Sequence, residues 1–134
     1  MRDILFRAQR VDNKEWVYGW VYKECGLTYI FEDRQTESLL NKNICYEVIP
    51  ETVGQFTGLK DKNGVIIFEG DVLGKVNNHN IPEVYGIVEY DDELSAFIIQ
   101  KTNGGFEVLG YYDMLTKLEI FGNEFDNPEL LEEQ

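Results

Sequence analysis

Apolar and polar residues alternate along much of the chain with the two-residue period of β-strands. The segment 16–22 reads Trp-Val-Tyr-Gly-Trp-Val-Tyr, so its aromatic residues share one side and its valines share the other. Both sides are apolar, which predicts a strand that is covered twice, in a core or by a partner. The candidate interaction residues are therefore Trp16, Tyr18, Trp20 and Tyr22.

Other β-branched, aromatic or alternating runs predict a series of short strands joined by turns. These runs cover residues 27–31, 44–49, 52–59, 65–68, 72–76, 84–90, 96–99, 106–109 and 118–121. Asn63-Gly64 is a hairpin signal, because both residues tolerate the positive φ that suits the twist of paired strands. Residues 34–41 fit either one helical turn or a loop. The pattern predicts a mainly β, antiparallel barrel or sandwich.

The end of the chain departs from this pattern. Asn127 followed by Pro128 is typical of a helix start, and predicts a short helix over Pro128 to Glu133. The chain has no internal repeat and no low-complexity linker. At 134 residues, it is predicted to form a single domain over 1–134.

Composition narrows the function classes. Hydrophobic residues make up 43% and charged residues 28%, as in a globular protein. Twelve Lys and Arg against twenty-five Asp and Glu give a formal charge of −13. General nucleic-acid binders and proteins that dock on anionic membranes need clustered cations, so we expect neither nucleic acid nor a membrane as a partner.

The negative charge is unevenly distributed. Residues 1–42 carry seven basic and seven acidic side chains, whereas residues 43–134 carry five basic and eighteen acidic ones. One interpretation is a solvated surface that keeps the protein soluble, and the other is a surface for a basic partner. An acidic protein of this kind is also a candidate DNA mimic that inhibits a host nucleic-acid-binding protein.

No apolar run is long enough for a secretory signal or a membrane span, so we expect the chain in the cytoplasm. There, Cys25 and Cys45 are expected to be reduced thiols with a structural role or no specific role. The alternative is a single disulfide between them. With His79 as its one histidine, the chain cannot assemble a zinc site of four N and S ligands. His79 lies in a polar loop without a nucleophile beside it. We predict no cofactor, no metal and no catalytic residue.

One acidic group has two interpretations. Asp61, Glu69 and Asp71 offer carboxylates that suit Mg²⁺ coordination or general acid–base catalysis. The alternative is turn chemistry, in which Gly70 takes an unusual backbone angle and Asp71 accepts hydrogen bonds from backbone amides. The turn interpretation is favoured, because Asp and Gly beside a strand are ordinary turn residues.

Several blocks of the sequence resemble the YopX family of bacteriophages and prophages. They are Pro50–Gly64, Ile67–Val72 and Gly122–Glu132, together with the opening Ile4–Ala8 and the following Trp16. The blocks lie in the family's order along the chain. The resemblance implies a mainly β fold with a barrel-like core. It implies no activity, because the family has none established.

Three functions follow as hypotheses. The first is a non-enzymatic β interaction module of a phage or prophage that acts on a host or phage partner. The second is a small metal-dependent hydrolase or nuclease using Asp61, Glu69 and Asp71, and the third is the acidic DNA mimic. For the first, the partner protein is unidentified, and the two apolar sides of segment 16–22 also suggest a homo-oligomer.

Overall fold

The structure, a computed structural model, describes residues 5–32, 44–110 and 114–132, so segment 34–41 lies outside the described residues. Within these ranges the strands are β1 (Phe6–Gln9), β2 (Trp16–Glu24), β3 (Leu27–Glu32), β4 (Cys45–Glu47), β5 (Gly54–Lys60), β6 (Ile66–Phe68), β7 (Asp71–Val76), β8 (Pro82–Asp91), β9 (Ala96–Lys101), β10 (Phe106–Val108) and β11 (Glu119–Asn123). Three short 3₁₀ helices accompany them: η1 (Pro50–Thr52), η2 (Met114–Thr116) and η3 (Pro128–Leu131). Over the same ranges, no helix is long and apolar enough to cross a membrane.

The strands form two antiparallel sheets, in the orders β4-β3-β2-β1-β5-β6 and β10-β9-β8-β7-β11. Most neighbours in each sheet are also neighbours in sequence, as expected where short turns join antiparallel strands. The prediction of a mainly β, antiparallel fold is confirmed. Each sheet ends in two different edge strands, so the described strands close no barrel.

The chain divides into two compact units, Met1–Phe56 and Thr57–Gln134. In the first unit, alternation along β1, β2 and β3 turns one side of the sheet inward. Ala8, Val17 and Ile30 lie on that side and are almost completely buried, together with Val48. The assignment of a single domain over 1–134 stays a prediction.

The second unit has its own core. Ile67 of β6 and the half-buried Leu59 of β5 pack against Leu73, Val88 and Ile99 of the five-stranded sheet. Strands from the two sheets thus face each other across apolar side chains within this unit. Open sheets that share a core in this way fit the sandwich form of the prediction.

The predicted C-terminal helix is not confirmed as an α-helix. The segment from Pro128 forms only the four-residue 3₁₀ helix η3, and Glu132 already has an extended backbone. Asn127 makes no side-chain cap, because its Oδ1 accepts a hydrogen bond from the Asn123 N–H at 3.3 Å instead. Glu133 lies outside the described residues.

Candidate interaction surface

The alternation along β2 separates a buried side from an exposed one. Val17 is only 6% exposed and belongs to the core of the first unit. On the opposite side, Tyr18, Trp20 and Tyr22 are 45%, 51% and 43% exposed, and Trp16 is half-buried. Tyr18, Trp20 and Tyr22 therefore lie outside the core of the first unit.

Strand β3 enlarges this exposed side. Because paired residues of neighbouring strands share a side, Phe31 lies beside Trp20 and Tyr29 lies beside Tyr22. The Tyr22 ring meets the Phe31 ring edge-on, with centroids 5.7 Å apart, and lies 6.3 Å from the Tyr29 ring. We call the resulting surface the aromatic face; its members are Trp16, Tyr18, Trp20, Tyr22, Tyr29 and Phe31.

Sequence reasoning missed Tyr29 and Phe31 as members of this surface. Their run was predicted to be a strand, but a strand's own pattern does not say which neighbour it pairs with or in which register. Gly26 in the short gap between the two runs was the available signal, and in the structure Cys25 and Gly26 form the turn, with φ of 53° and 80°. A two-residue turn with positive φ at both positions joins adjacent strands, and so would have placed β3 against β2.

The two ends of the aromatic face differ in charge. At one end, the Arg7 guanidinium lies 4.7 Å from the centre of the Trp16 ring, in cation–π geometry. At the other end, near the β2–β3 turn, burial raises the pKa of the Tyr29 hydroxyl, and the carboxylates of Glu47 and Glu24 raise it further. The two glutamates therefore lie close enough to this end to act on it electrostatically.

The Asp61 carboxylate is occupied by hydrogen bonds to the backbone. Its side-chain Oδ1 accepts hydrogen bonds from the Asn63 and Val65 N–H groups, both at 2.9 Å, which holds the turn between β5 and β6. Its Oδ2 accepts a third hydrogen bond from the Ile120 N–H of β11 at 3.0 Å. Asp61 is only 7% exposed, so a metal ion would have to displace backbone donors.

Glu69 and Gly70 form the turn that joins β6 to β7, and Asp71 is the first residue of β7. Gly70 has φ of 93°, a conformation that glycine adopts readily and other residues rarely do. Asp71 is 1% exposed, and its Oδ2 accepts a hydrogen bond from the Phe68 N–H at 2.8 Å. Glu69 is half-buried beside it. This geometry agrees with the turn interpretation.

The other candidate chemical groups also lie apart. In residues 5–32, 44–110 and 114–132, no three His, Cys, Asp or Glu side chains gather into a group that could hold a metal ion. His79 is exposed in its loop, where its backbone N–H donates to Asn77 Oδ1. Cys25 and Cys45 are both exposed free thiols.

In the second unit, a surface cleft of about 630 Å³ lies between the start of β8 and η3. Pro82, Thr102 and Leu130 are among the residues that line it. Glu83, one of the two acidic residues that line it, accepts a hydrogen bond from the Asn77 side chain at 2.9 Å. Small-molecule sites usually combine an enclosed apolar cavity with converging polar groups, and this cleft does not have that character.

Replacing Asp71 with alanine should lower the free energy of unfolding by about 1–3 kcal/mol, because the buried Phe68 N–H loses its acceptor. The same variant should leave the response to metal unchanged, because Asp71 already binds a backbone donor. Calorimetric titration of the wild type and Asp71→Ala with Mg²⁺ and Mn²⁺ tests this. Stoichiometric, sub-millimolar binding that disappears in Asp71→Ala would contradict it, and the exposed Asp92→Ala is the control.

Two open antiparallel sheets, one of them with exposed aromatic residues on β2, define a mainly β protein. The chain belongs to the YopX family: the family model described as YopX protein matches residues 5–132. A search of curated proteins finds no match. Among solved structures, the chain is similar to the crystal structure of protein EF1440 from Enterococcus faecalis, with a TM-score of 0.55 and 23% identity over 98% of this chain and 100% of the other. At this identity, the likeness shows a shared fold.

Proposed function

We propose that the protein is a phage- or prophage-encoded, non-enzymatic interaction module that binds a host or phage protein through the aromatic face. It acts in the cytoplasm of the bacterial host. The observation that carries the proposal is the exposure of Tyr18, Trp20 and Tyr22, at 43–51%, on a strand whose other side is buried. Family membership is consistent with this origin and assigns no activity.

Large exposed aromatic side chains are costly to leave in water, and they are concentrated where proteins bind one another. Each ring brings a large apolar area, and Tyr and Trp also carry a polar group that pairs at the edge of an interface. Within the aromatic face, the Tyr22 ring packs edge-on against the Phe31 ring, which restricts the rotation of both. A partner therefore pays little conformational entropy to dock on them.

The two alternative functions have less support. A metal-dependent hydrolase would need Asp61 and Asp71 to give up the backbone hydrogen bonds that they accept. A DNA mimic would need carboxylates in the regular spacing of phosphates over one surface. A DNA mimic would also leave the large exposed rings of the aromatic face without a role.

The Trp20→Ala variant tests the proposal. The wild-type protein and the variant are immobilised, exposed to a lysate of the bacterial host carrying the phage, and cross-linked. We expect the wild type to capture a defined protein. The captured amount should fall at least about tenfold with Trp20→Ala, the loss typical of a central aromatic contact. Mass spectrometry of the cross-links should place that protein on β2 or β3.

Phe106→Ala is the matched control, because Phe106 is an aromatic residue with the same exposed fraction as Trp20, 51%, on the other sheet. It should retain the captured protein. An equal loss of captured protein with both variants would indicate nonspecific binding to exposed aromatic rings. Capture unaffected by Trp20→Ala would contradict the assignment of the aromatic face.

A further inference from the structure

The end of the aromatic face nearest the β2–β3 turn is acidic. Across the sheet, Tyr22 pairs with Tyr29 and Tyr29 pairs with Glu47, so these three side chains form one row on one side. Glu24 lies two positions after Tyr22 and therefore on the same side. Both glutamates are exposed, so their carboxylates flank the two tyrosine rings at the surface.

The cation at the opposite end is not available to a ligand's carboxylate. Arg7 is 8% exposed and lies against the Trp16 ring at 4.7 Å. Lys23 lies next to Tyr22 in sequence, but alternation directs it to the other side of β2. The accessible part of the aromatic face thus offers π-rings and negative charge together.

This combination matches one kind of side chain. A guanidinium stacks on the face of an aromatic ring and at the same time donates paired hydrogen bonds to a carboxylate. Among the described residues of this unit, the Arg7 guanidinium stacks over Trp16 and the Arg10 guanidinium stacks over Tyr46 at 4.3 Å. Arg10 also donates to Asp12, with its Nη2 2.6 Å from Oδ2, so one arginine here engages a ring and a carboxylate together.

We propose that the acidic end of the aromatic face, formed by Tyr22, Tyr29, Glu24 and Glu47, binds an arginine in a basic segment of the partner protein. The inference rests on the proposed function and specifies its partner. Glu24 and Glu47 supply the local attraction for a basic segment, because residues 1–56 are nearly neutral, with seven basic and nine acidic side chains. The formal charge of −13 on the whole chain opposes the approach of a second copy. Arginine rather than lysine is expected, because its planar group can use a ring and a carboxylate at once.

The test uses a short synthetic peptide of alternating glycine and arginine, and the same peptide with glutamine in place of arginine. Binding is followed through the fluorescence of Trp16 and Trp20 at low and at physiological salt. We expect binding of the arginine peptide alone, weakened about fivefold in Glu24→Gln/Glu47→Gln by the loss of two carboxylates at a partly exposed site. Tyr22→Leu, which retains an apolar side chain, should weaken it about threefold through loss of the ring.

The double variant Asp92→Asn/Glu93→Gln is the matched control, because it removes the same charge from exposed positions in the other unit. It should change the affinity less than about twofold at physiological salt, where distant charges are screened. Equal weakening by both double variants, or equal binding of the two peptides, would overturn the proposal. So would a concentration-dependent dimer, seen by sedimentation, that Trp20→Ala abolishes.

These outcomes separate the inference from the proposed function. A captured partner that is lost on Trp20→Ala but retained by Glu24→Gln/Glu47→Gln would reject the arginine site and support the interaction module. A partner that both variants lose, and that cross-links through an arginine-containing segment, would support both.

Discussion

Replacing Asp61 with alanine should lower the free energy of unfolding by about 3–4 kcal/mol, one of the two largest effects expected in this protein. The carboxylate accepts three backbone hydrogen bonds, from Asn63, Val65 and Ile120, and is only 7% exposed. Alanine would leave these donors poorly satisfied and would release the turn from β11. Urea unfolding followed by far-UV circular dichroism measures the loss.

Two variants show whether the hydrogen bonds are the cause. Asp61→Asn keeps one acceptor oxygen for the turn but turns a donor toward the Ile120 N–H, so we expect a loss of about 2 kcal/mol. Asp91 provides the control, because its carboxylate also accepts two backbone N–H groups, from Glu93 and Leu94, at an exposed turn. Asp91→Ala should cost less than about 1 kcal/mol, since water replaces the carboxylate. A similar loss for Asp91→Ala and Asp61→Ala would contradict this account.

Gly19→Ala should cost about 3 kcal/mol or more, through overpacking within the first unit. A Cβ atom at Gly19 would lie 1.8 Å from the backbone oxygen of Phe31 and 3.1 Å from the Cα of Glu32. Backbone atoms of a paired strand cannot move aside as a flexible side chain can. Both tryptophans, Trp16 and Trp20, lie in this unit, so their fluorescence reports its unfolding in urea directly.

Gly26→Ala separates this steric effect from backbone strain. Gly26 has φ of 80° in the β2–β3 turn, and nothing lies within 4 Å of a Cβ atom placed there. Its substitution should therefore cost only about 1–2 kcal/mol, the strain of an alanine at positive φ. If Gly19→Ala were as mild as Gly26→Ala, the close approach of β2 to β3 at Gly19 would be wrong.

Much of the strand content was predictable because alternation and turn residues are local signals. The runs 96–99 and 106–109 were predicted and correspond to β9 and β10. Strand β1 was not predicted, although Phe6 and Ala8 alternate with the polar residues Arg7 and Gln9 along it. Strand β11 extends to Asn123 beyond the predicted end at 121, since a register shift between Ile120 and Gly122 absorbs the glycine.

The helix at the C-terminus shows where local signals fail. Asn127 and Pro128 are typical of a helix start, but a cap needs a side chain that is free to turn back onto the first N–H groups. In the structure the Asn127 oxygen binds the Asn123 N–H instead. That contact depends on the end of β11, which no local pattern around Pro128 describes.

The sequence by itself determined the two sides of β2, since alternation alone puts Trp16, Tyr18, Trp20 and Tyr22 together and opposite Val17. It also determined the net charge of −13, and hence that long-range electrostatic attraction favours a positively charged partner. Only the tertiary structure decided which side is buried, because burial depends on the strands that pack from elsewhere in the chain. It likewise placed Tyr29, Phe31 and Glu47 on the same surface, and directed Asp61 to the distant N–H of Ile120. Strand register and contacts between residues far apart in sequence are set by the whole chain, and local composition does not contain them.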